Sequence, residues 1–264
     1  MRGVLLTVAY DGGPFAGFAI QPEQRTIAGE LLGALRAVDP RVRELRGASR
    51  TDAGVHARGQ RVAFDTEASI PPRGWALALS RHLPQEIAVR RAAYVAEGFS
   101  PRFGNLGKRY RYSILRDPLR DPFLDGRVWR APGIDSEGAL ARAAREAESA
   151  LGTHDFAAFR SAADEREKTV RTLRSLTVTA DPGDPRLVRV DVEGDAFLHN
   201  MVRILVGTLY DVARGHRPEG TIAKALGSRD RRDAGITAPA EGLCLEEVLL
   251  EDEGTEGWPS RCPS

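Results

Sequence analysis

The sequence predicts an α+β protein made of two successive β-α-β-β-α-β halves. Two observations carry this: alternating strand patterns and amphipathic helices recur twice in the same order, and turn residues separate them. Val4, Leu6, Val8 and Tyr10 alternate as a strand. Thr26 to Val38 reads as a helix, with Ile27, Leu31, Ala34, Leu35 and Val38 on one face. A short strand precedes Asp52, Arg61–Phe64 is the next, Pro72–Ser80 is helical, and Ile87–Ala93 returns as a strand. In the second half Tyr110, Tyr112 and Ile114 mark a strand. Asp135 is placed to cap a helix whose stripe is Leu140, Ala143, Ala144, Ala147 and Leu151. Strands follow at Val170–Thr179 and Leu187–Val192, with Asp181-Pro182-Gly183-Asp184 as the turn. A helix over Leu198–Arg214, an extra helix near Thr221–Leu226 and a strand at Leu245–Leu250 complete the scheme. The expected division is 1–104, carrying the Asp52 loop; 105–253, carrying Tyr110 and Arg203; and 254–264, an acidic tail with Gly and Pro, expected to be disordered.

At 264 residues, with 42% hydrophobic and 28% charged, the chain has ample material for a core. Its two cysteines, Cys244 and Cys262, form no CxxC pair, and nothing has zinc-ligand spacing, so neither a disulfide framework nor a structural metal is expected. The apolar stretch Gly3–Tyr10 is short, alternates and leads into Asp11-Gly12-Gly13, unlike a signal peptide, and no run approaches membrane-spanning length. A cytoplasmic protein is the expectation. The net charge of +1 is uneven: residues 246–264 hold six acids and one arginine, which leaves +6 on the rest. Only Lys108, Lys168 and Lys224 are lysines, so the positive charge is nearly all arginine, which suits bidentate phosphate recognition. Arg102, Lys108, Arg109, Arg111 and Arg116 fall within fifteen residues that contain no acid.

Four segments could carry chemistry. Arg50-Thr51-Asp52-Ala53-Gly54-Val55-His56 sets one carboxylate among Arg50, His56 and Arg58. A carboxylate among cations stays ionised, as a nucleophile or base must; an ordinary polar turn uses the same residue types. The apolar helix from Leu198 has Arg203 as its only formal charge from Ala196 to Tyr210, with His199 four residues earlier on the same flank. Such a guanidinium seeks a carboxylate or phosphate, or reaches the surface along its stem. Lys108-Arg109-Tyr110-Arg111-Tyr112 places two tyrosines on one strand face and two arginines on the other. That pattern can stack an unpaired base, and it also suits half-buried sheet tyrosines. His154-Asp155 is read as opening a helix.

These residues resemble a known family, the bacterial tRNA pseudouridine synthases that modify positions 38 to 40 of the anticodon stem-loop. The matching blocks are Tyr10-Asp11-Gly12 with Phe15 and Gly17, Gly47 to His56, Phe99 to Phe103, Lys108 to Tyr112, Gly152 to Phe156, Arg171-Thr172, Phe197 to Arg203, and Ala234 to Leu243. The resemblance implies two ferredoxin-like halves with a central basic cleft between them, and a homodimer acting on tRNA without metal or cofactor and away from membranes. It implies that Asp52 is the essential aspartate, as nucleophile or base, and that Arg50 helps flip the target base. Tyr110 would pack on uracil, with possible proton transfer, and Arg203 would pair with Asp52. Arg58, Arg102, Lys108, Arg109, Arg111, His56 and His199 are the expected RNA contacts. Phe18, Ala28, Ser80 and Pro101 depart from the family's usual residues.

Two other classes fit parts of the pattern. A non-catalytic RNA-binding protein would use Tyr110, Arg102 and Arg109 but has no need of Asp52, which repels phosphate. A metal-dependent hydrolase would use Asp52, His56, His154 and Asp155, and would lose activity with a chelator.

Overall fold

A computed structural model of the chain describes residues 1–134, 136–164 and 166–259. In chain order it contains β1 (Arg2–Tyr10), α1 (Ile27–Val38), β2 (Arg46–Gly47), β3 (His56–Thr66), α2 (Pro72–Leu79) and β4 (Ile87–Val95). Then come β5 (Asn105–Leu115), β6 (Trp129–Arg130), α3 (Glu137–Glu148), β7 (Gly152–Asp155), β8 (Val170–Ala180) and β9 (Leu187–Gly194). The remainder is α4 (Met201–Ala213), α5 (Thr221–Ser228), β10 (Leu243–Leu250) and β11 (Thr255–Trp258), with 3-10 turns at Ala157–Phe159, Arg231–Asp233 and Ala240–Gly242. The fold is α+β, in two compact units: Met1–Leu106 with Leu245–Ser264, and Gly107–Cys244.

In the first unit the strands lie in the order β11-β4-β1-β3-β10, with β2 on β3. β1 is the centre, antiparallel to both β3 and β4, so that Val4 faces Phe64 on one side and Tyr94 on the other. Side chains two apart share a face. Val4, Leu6 and Val8 are fully buried, and Phe64 meets Trp75 of α2 edge-on at 4.9 Å, so this face takes the helices. Thr26 caps α1 by accepting the Gly29 N–H, and Ile27, Leu31, Ala34 and Leu35 turn inward as the periodicity predicts. Pro72 opens α2, where its missing N–H costs nothing.

In the second unit the order is β5-β9-β8-β7, with β6 parallel to β5. α3 and α4 pack against each other, and α3 lies along β8. The predicted cap Asp135 lies outside the described residues; Ser136 caps α3, its Oγ accepting the Ala139 N–H at 3.1 Å.

Four expectations change. α4 begins at Met201, not Leu198, because Asn200 takes a left-handed conformation (φ 62°) and interrupts the helical run. His199 therefore precedes the helix and does not share a helical flank with Arg203. His154-Asp155 ends β7, paired with Arg171 and Val170 of β8, instead of opening a helix. Asp155 Oδ1 instead accepts the Ala157 N–H at 3.1 Å and starts the short 3-10 turn. From Leu245 the chain groups with the first unit, since β10 lies beside β3. Within the segment expected to be a disordered tail, Thr255–Trp258 is an ordered strand on the edge of β4; residues 260–264 lie outside the described residues.

Candidate active site

Asp52 sits on the loop between β2 and β3, and polar side chains fix that loop from below. Gln60 of β3 is fully buried. Its Oε1 accepts the N–H of Ser49 at 3.2 Å, and its Nε2 donates to the Ser49 carbonyl at 2.7 Å and to the Tyr10 phenol oxygen at 3.3 Å. The Tyr10 hydroxyl is 2.8 Å from Thr51 Oγ1, and the Phe18 N–H donates to the Thr51 carbonyl at 3.0 Å. The Val55 N–H closes the turn onto the Asp52 carbonyl at 3.2 Å. Glycine is needed at two close approaches. A Cβ at Gly12 would stand 2.1 Å from the Val55 carbonyl oxygen, and Gly17 (φ +102°) lies against the Thr51–Ala53 backbone. Asp52 itself is half-buried.

The cations expected around Asp52 have these positions. Arg50 is exposed. His56 is buried, and its Nδ1 lies 3.1 Å from the Gly12 N and 3.2 Å from Asp11 Oδ1. Arg58 is exposed and 3.8 Å from Glu246. Arg102 is exposed and lies over the ring of Phe103, itself 86% exposed.

In the second unit, β5 alternates as predicted. Tyr110 and Tyr112 are buried, and Tyr110 meets Phe197 edge-on at 5.2 Å. Burial pushes the Tyr112 phenol well above its ordinary range, so it stays protonated and donates to the Pro239 carbonyl at 2.7 Å. On the other face Arg109 pairs with Glu193 at 2.7 Å, and Arg111 pairs with both carboxylate oxygens of Asp191. The register sets each arginine directly opposite its acid on β9. The acid-free run of sequence thus faces acids across the sheet at these two positions. Lys108 is half-buried.

Arg203 lies in the first turn of α4. Its Nε donates to the Ala238 carbonyl at 2.7 Å and its Nη1 to Asn200 Oδ1 at 2.8 Å. The Ala238 N–H returns a bond to the Arg203 carbonyl at 3.1 Å. The segment 234–238 can run this close because α4 has glycine at 207: a Cβ there would stand 2.0 Å from the Ile236 carbonyl oxygen. Thr208 Oγ1 accepts the Gly235 N–H at 2.8 Å and secures the same contact. The His199 N–H donates to Asp164 Oδ2 at 2.9 Å. Arg166 grips both oxygens of Asp164 and, with that N–H, holds its carboxyl well below the usual carboxylate range.

Of the residues that hold the candidates, Gln60 under Asp52 was not found from sequence, and Tyr10 and Thr51 under Asp52 and Asn200 and Ala238 around Arg203 lay in the matching blocks with no role assigned. The signal lay in a polar Gln inside an apolar strand and in paired glycines at 207 and 235. Among the described residues no group of three or more His, Cys, Asp or Glu side chains is arranged to hold a metal. His154 bonds the Leu151 carbonyl at 2.7 Å, and Asp155 is engaged by Thr169 and Arg229. Nor is any described helix long and apolar enough to cross a membrane.

Comparison with known proteins now defines the class. A family profile described as tRNA pseudouridine synthase matches residues 6–103 and 147–249. A Myxococcus xanthus protein named tRNA pseudouridine synthase A is 42% identical over 266 residues, covering 100% of this chain and 96% of its own. Proteins of the same name from Geobacter sulfurreducens and Citrifermentans bemidjiense are 41% and 40% identical, covering 94% and 96% of this chain and 99% of each of theirs. The chain belongs to the tRNA pseudouridine synthase family.

Proposed function

We propose that this chain isomerises uridine to pseudouridine in tRNA, at positions 38, 39 and 40 of the anticodon stem-loop. The observation that carries the reading is the held carboxylate. Asp52 is presented at the tip of a loop whose backbone is fixed by buried Gln60 and Tyr10, inside a chain of this family. In the reaction the N-glycosidic bond breaks, the uracil turns, and its C5 bonds to C1′ of the ribose, with no atom lost. The target base first leaves the stack, at a cost of a few kcal/mol. Arg50 fills the vacated space. Tyr110 stacks on the flipped ring, worth about 1–3 kcal/mol. Asp52 attacks C1′ or removes the ribose 2′ proton, and Arg203 keeps it anionic. Tyr110 serves the proton leaving C5.

The reading treats each unit as ferredoxin-like and requires Asp52 of the first to meet Tyr110 and Arg203 of the second across a basic cleft. In unit one the strand order β4-β1-β3-β2 supports that description. In unit two the Ala238 carbonyl and Asn200 Oδ1 accept from Arg203 and fix the direction of its guanidinium. The enzyme acts as a homodimer in the cytoplasm and needs neither metal nor cofactor. The test is incubation with uridine-bearing tRNA in EDTA, followed by assay for pseudouridine. Product at positions 38–40 is expected. Binding without product indicates an RNA-binding module, and EDTA-sensitive cleavage a metal hydrolase; either outcome overturns the reading.

A further inference from the structure

On the sheet face away from α1 and α2, three residues of adjacent strands line up. Thr7 of β1 is paired with Arg61 of β3 on one side and with Arg91 of β4 on the other. Directly opposed residues of antiparallel strands point to the same face. Both guanidiniums are largely buried, with side-chain exposures of 9% and 14%, and both converge on one carboxylate, Glu253. Arg61 Nη2 donates to Oε1 at 2.9 Å, Arg61 Nη1 is 2.8 Å from Oε2, and Arg91 Nη1 reaches Oε2 and the Glu253 backbone carbonyl, each at 3.0 Å.

The carboxylate does not complete the site. Two cations share one anion. Nη1 of Arg61 is ion-paired with Oε2, but its Nε directs its N–H at no acceptor among the described residues. Thr7 Oγ1, between the two arginines and 5% exposed, also has no partner among the described residues. Unpaired buried donors are costly. A carboxylate offers two oxygens in one plane. A phosphodiester carries its charge on two non-bridging oxygens set tetrahedrally on phosphorus, so donors can converge on it from outside a single plane, here both guanidiniums and the threonine hydroxyl. The segment over this site is acidic, with Glu251, Asp252, Glu253 and Glu256, and its Gly257 lies against the Arg91 guanidinium.

We propose that Thr7, Arg61 and Arg91 form a binding site for a phosphate of the RNA backbone, which Glu253 occupies in the free chain as an internal surrogate. The acidic C-terminal segment thereby competes with tRNA and keeps this contact largely unmade in the wild-type complex. The inference rests on the proposed tRNA substrate. It assigns to this face a contact that lies outside the Asp52 loop.

The test compares tRNA affinity of the full chain with Glu253→Gln and Asp252→Asn across 50 to 300 mM salt. Asp252 carries the same charge one residue away but accepts only the Gly254 N–H. Glu253→Gln should bind several-fold tighter at low salt and steepen the log–log salt slope by about 0.7–0.9, one phosphate contact. Asp252→Asn should leave the slope unchanged. Adding Arg91→Gln to Glu253→Gln should restore the wild-type slope. Equal slopes in all variants, or weaker binding by Glu253→Gln, overturn the proposal and leave the arginines as an anchor for the segment. A rise in melting temperature with inorganic phosphate, without a slope change, would assign the site to free phosphate and overturn the RNA assignment. Turnover by the wild type separates the two readings. Binding without pseudouridine sinks the proposed function, whereas turnover with unchanged slopes sinks this site alone.

Discussion

The Asp52 loop and the first turn of α4 each present a candidate charged side chain, Asp52 and Arg203, and they are built in opposite ways. The loop is held by polar groups: a buried amide, a phenol and a threonine hydroxyl satisfy its backbone. Arg203 is held by steric fit, because Gly207 lets the 234–238 backbone lie against the helix and brings the Ala238 carbonyl to the guanidinium. A short loop has no repeating backbone bonds of its own, so its geometry must come from side chains. A helix is already satisfied internally, so its presented residue needs only a close neighbour.

The comparison predicts different failures. The largest effect falls on chemistry alone: Asp52→Asn should abolish pseudouridine formation while tRNA affinity falls less than tenfold, about 1.4 kcal/mol. Measurable turnover would remove Asp52 from its role. Next, Gln60→Leu should destabilise the chain by about 3 kcal/mol, because it strands the Ser49 amide and carbonyl in a buried place. Urea denaturation checks this, and a midpoint unchanged from wild type would show that the loop does not depend on its amide. Gly207→Ala should cost about 2 kcal/mol by overpacking. The Cβ would meet a carbonyl oxygen, which cannot yield as a flexible side chain can. Its rate should fall with its melting temperature, since Ala238 would leave Arg203. A stable variant with normal kcat would break the steric account.

The same contrast explains what could be read in advance. Strands and helices were legible because their burial repeats at 2 or 3.6 residues, as in β9 and α1. Candidates such as Asp52 and Arg203 were legible from charge out of place and from the family pattern. The supports were not. Gln60 serves Ser49 eleven residues away and Tyr10 fifty away, and no local periodicity encodes such a bond. The acids opposite Arg109 and Arg111 were illegible for the same reason: they lie 84 and 80 residues downstream, in register only once β9 forms. The left-handed Asn200 misled in a different way, by stopping a helix inside an apolar run that periodicity alone would extend.

The smallest predicted effect concerns Asp164, which ties the chain before α4 to the 161–164 turn by accepting the His199 N–H. Arg166 chiefly holds its carboxyl below the usual range, so in the folded chain it loses its charge at lower pH than in the unfolded chain. The stability this contributes is therefore complete above the ordinary carboxylate pKa of about 3.9 and fades as pH falls from there toward the folded value. Asp164→Asn keeps the size of the side chain and removes the charge. It should cost about 1 kcal/mol at neutral pH, with the gap to wild type closing below about pH 4. Melting curves from pH 7 down to acid measure the gap. If it stays constant across that range, the carboxylate acts by shape alone and the approach to Arg203 owes nothing to its ionisation.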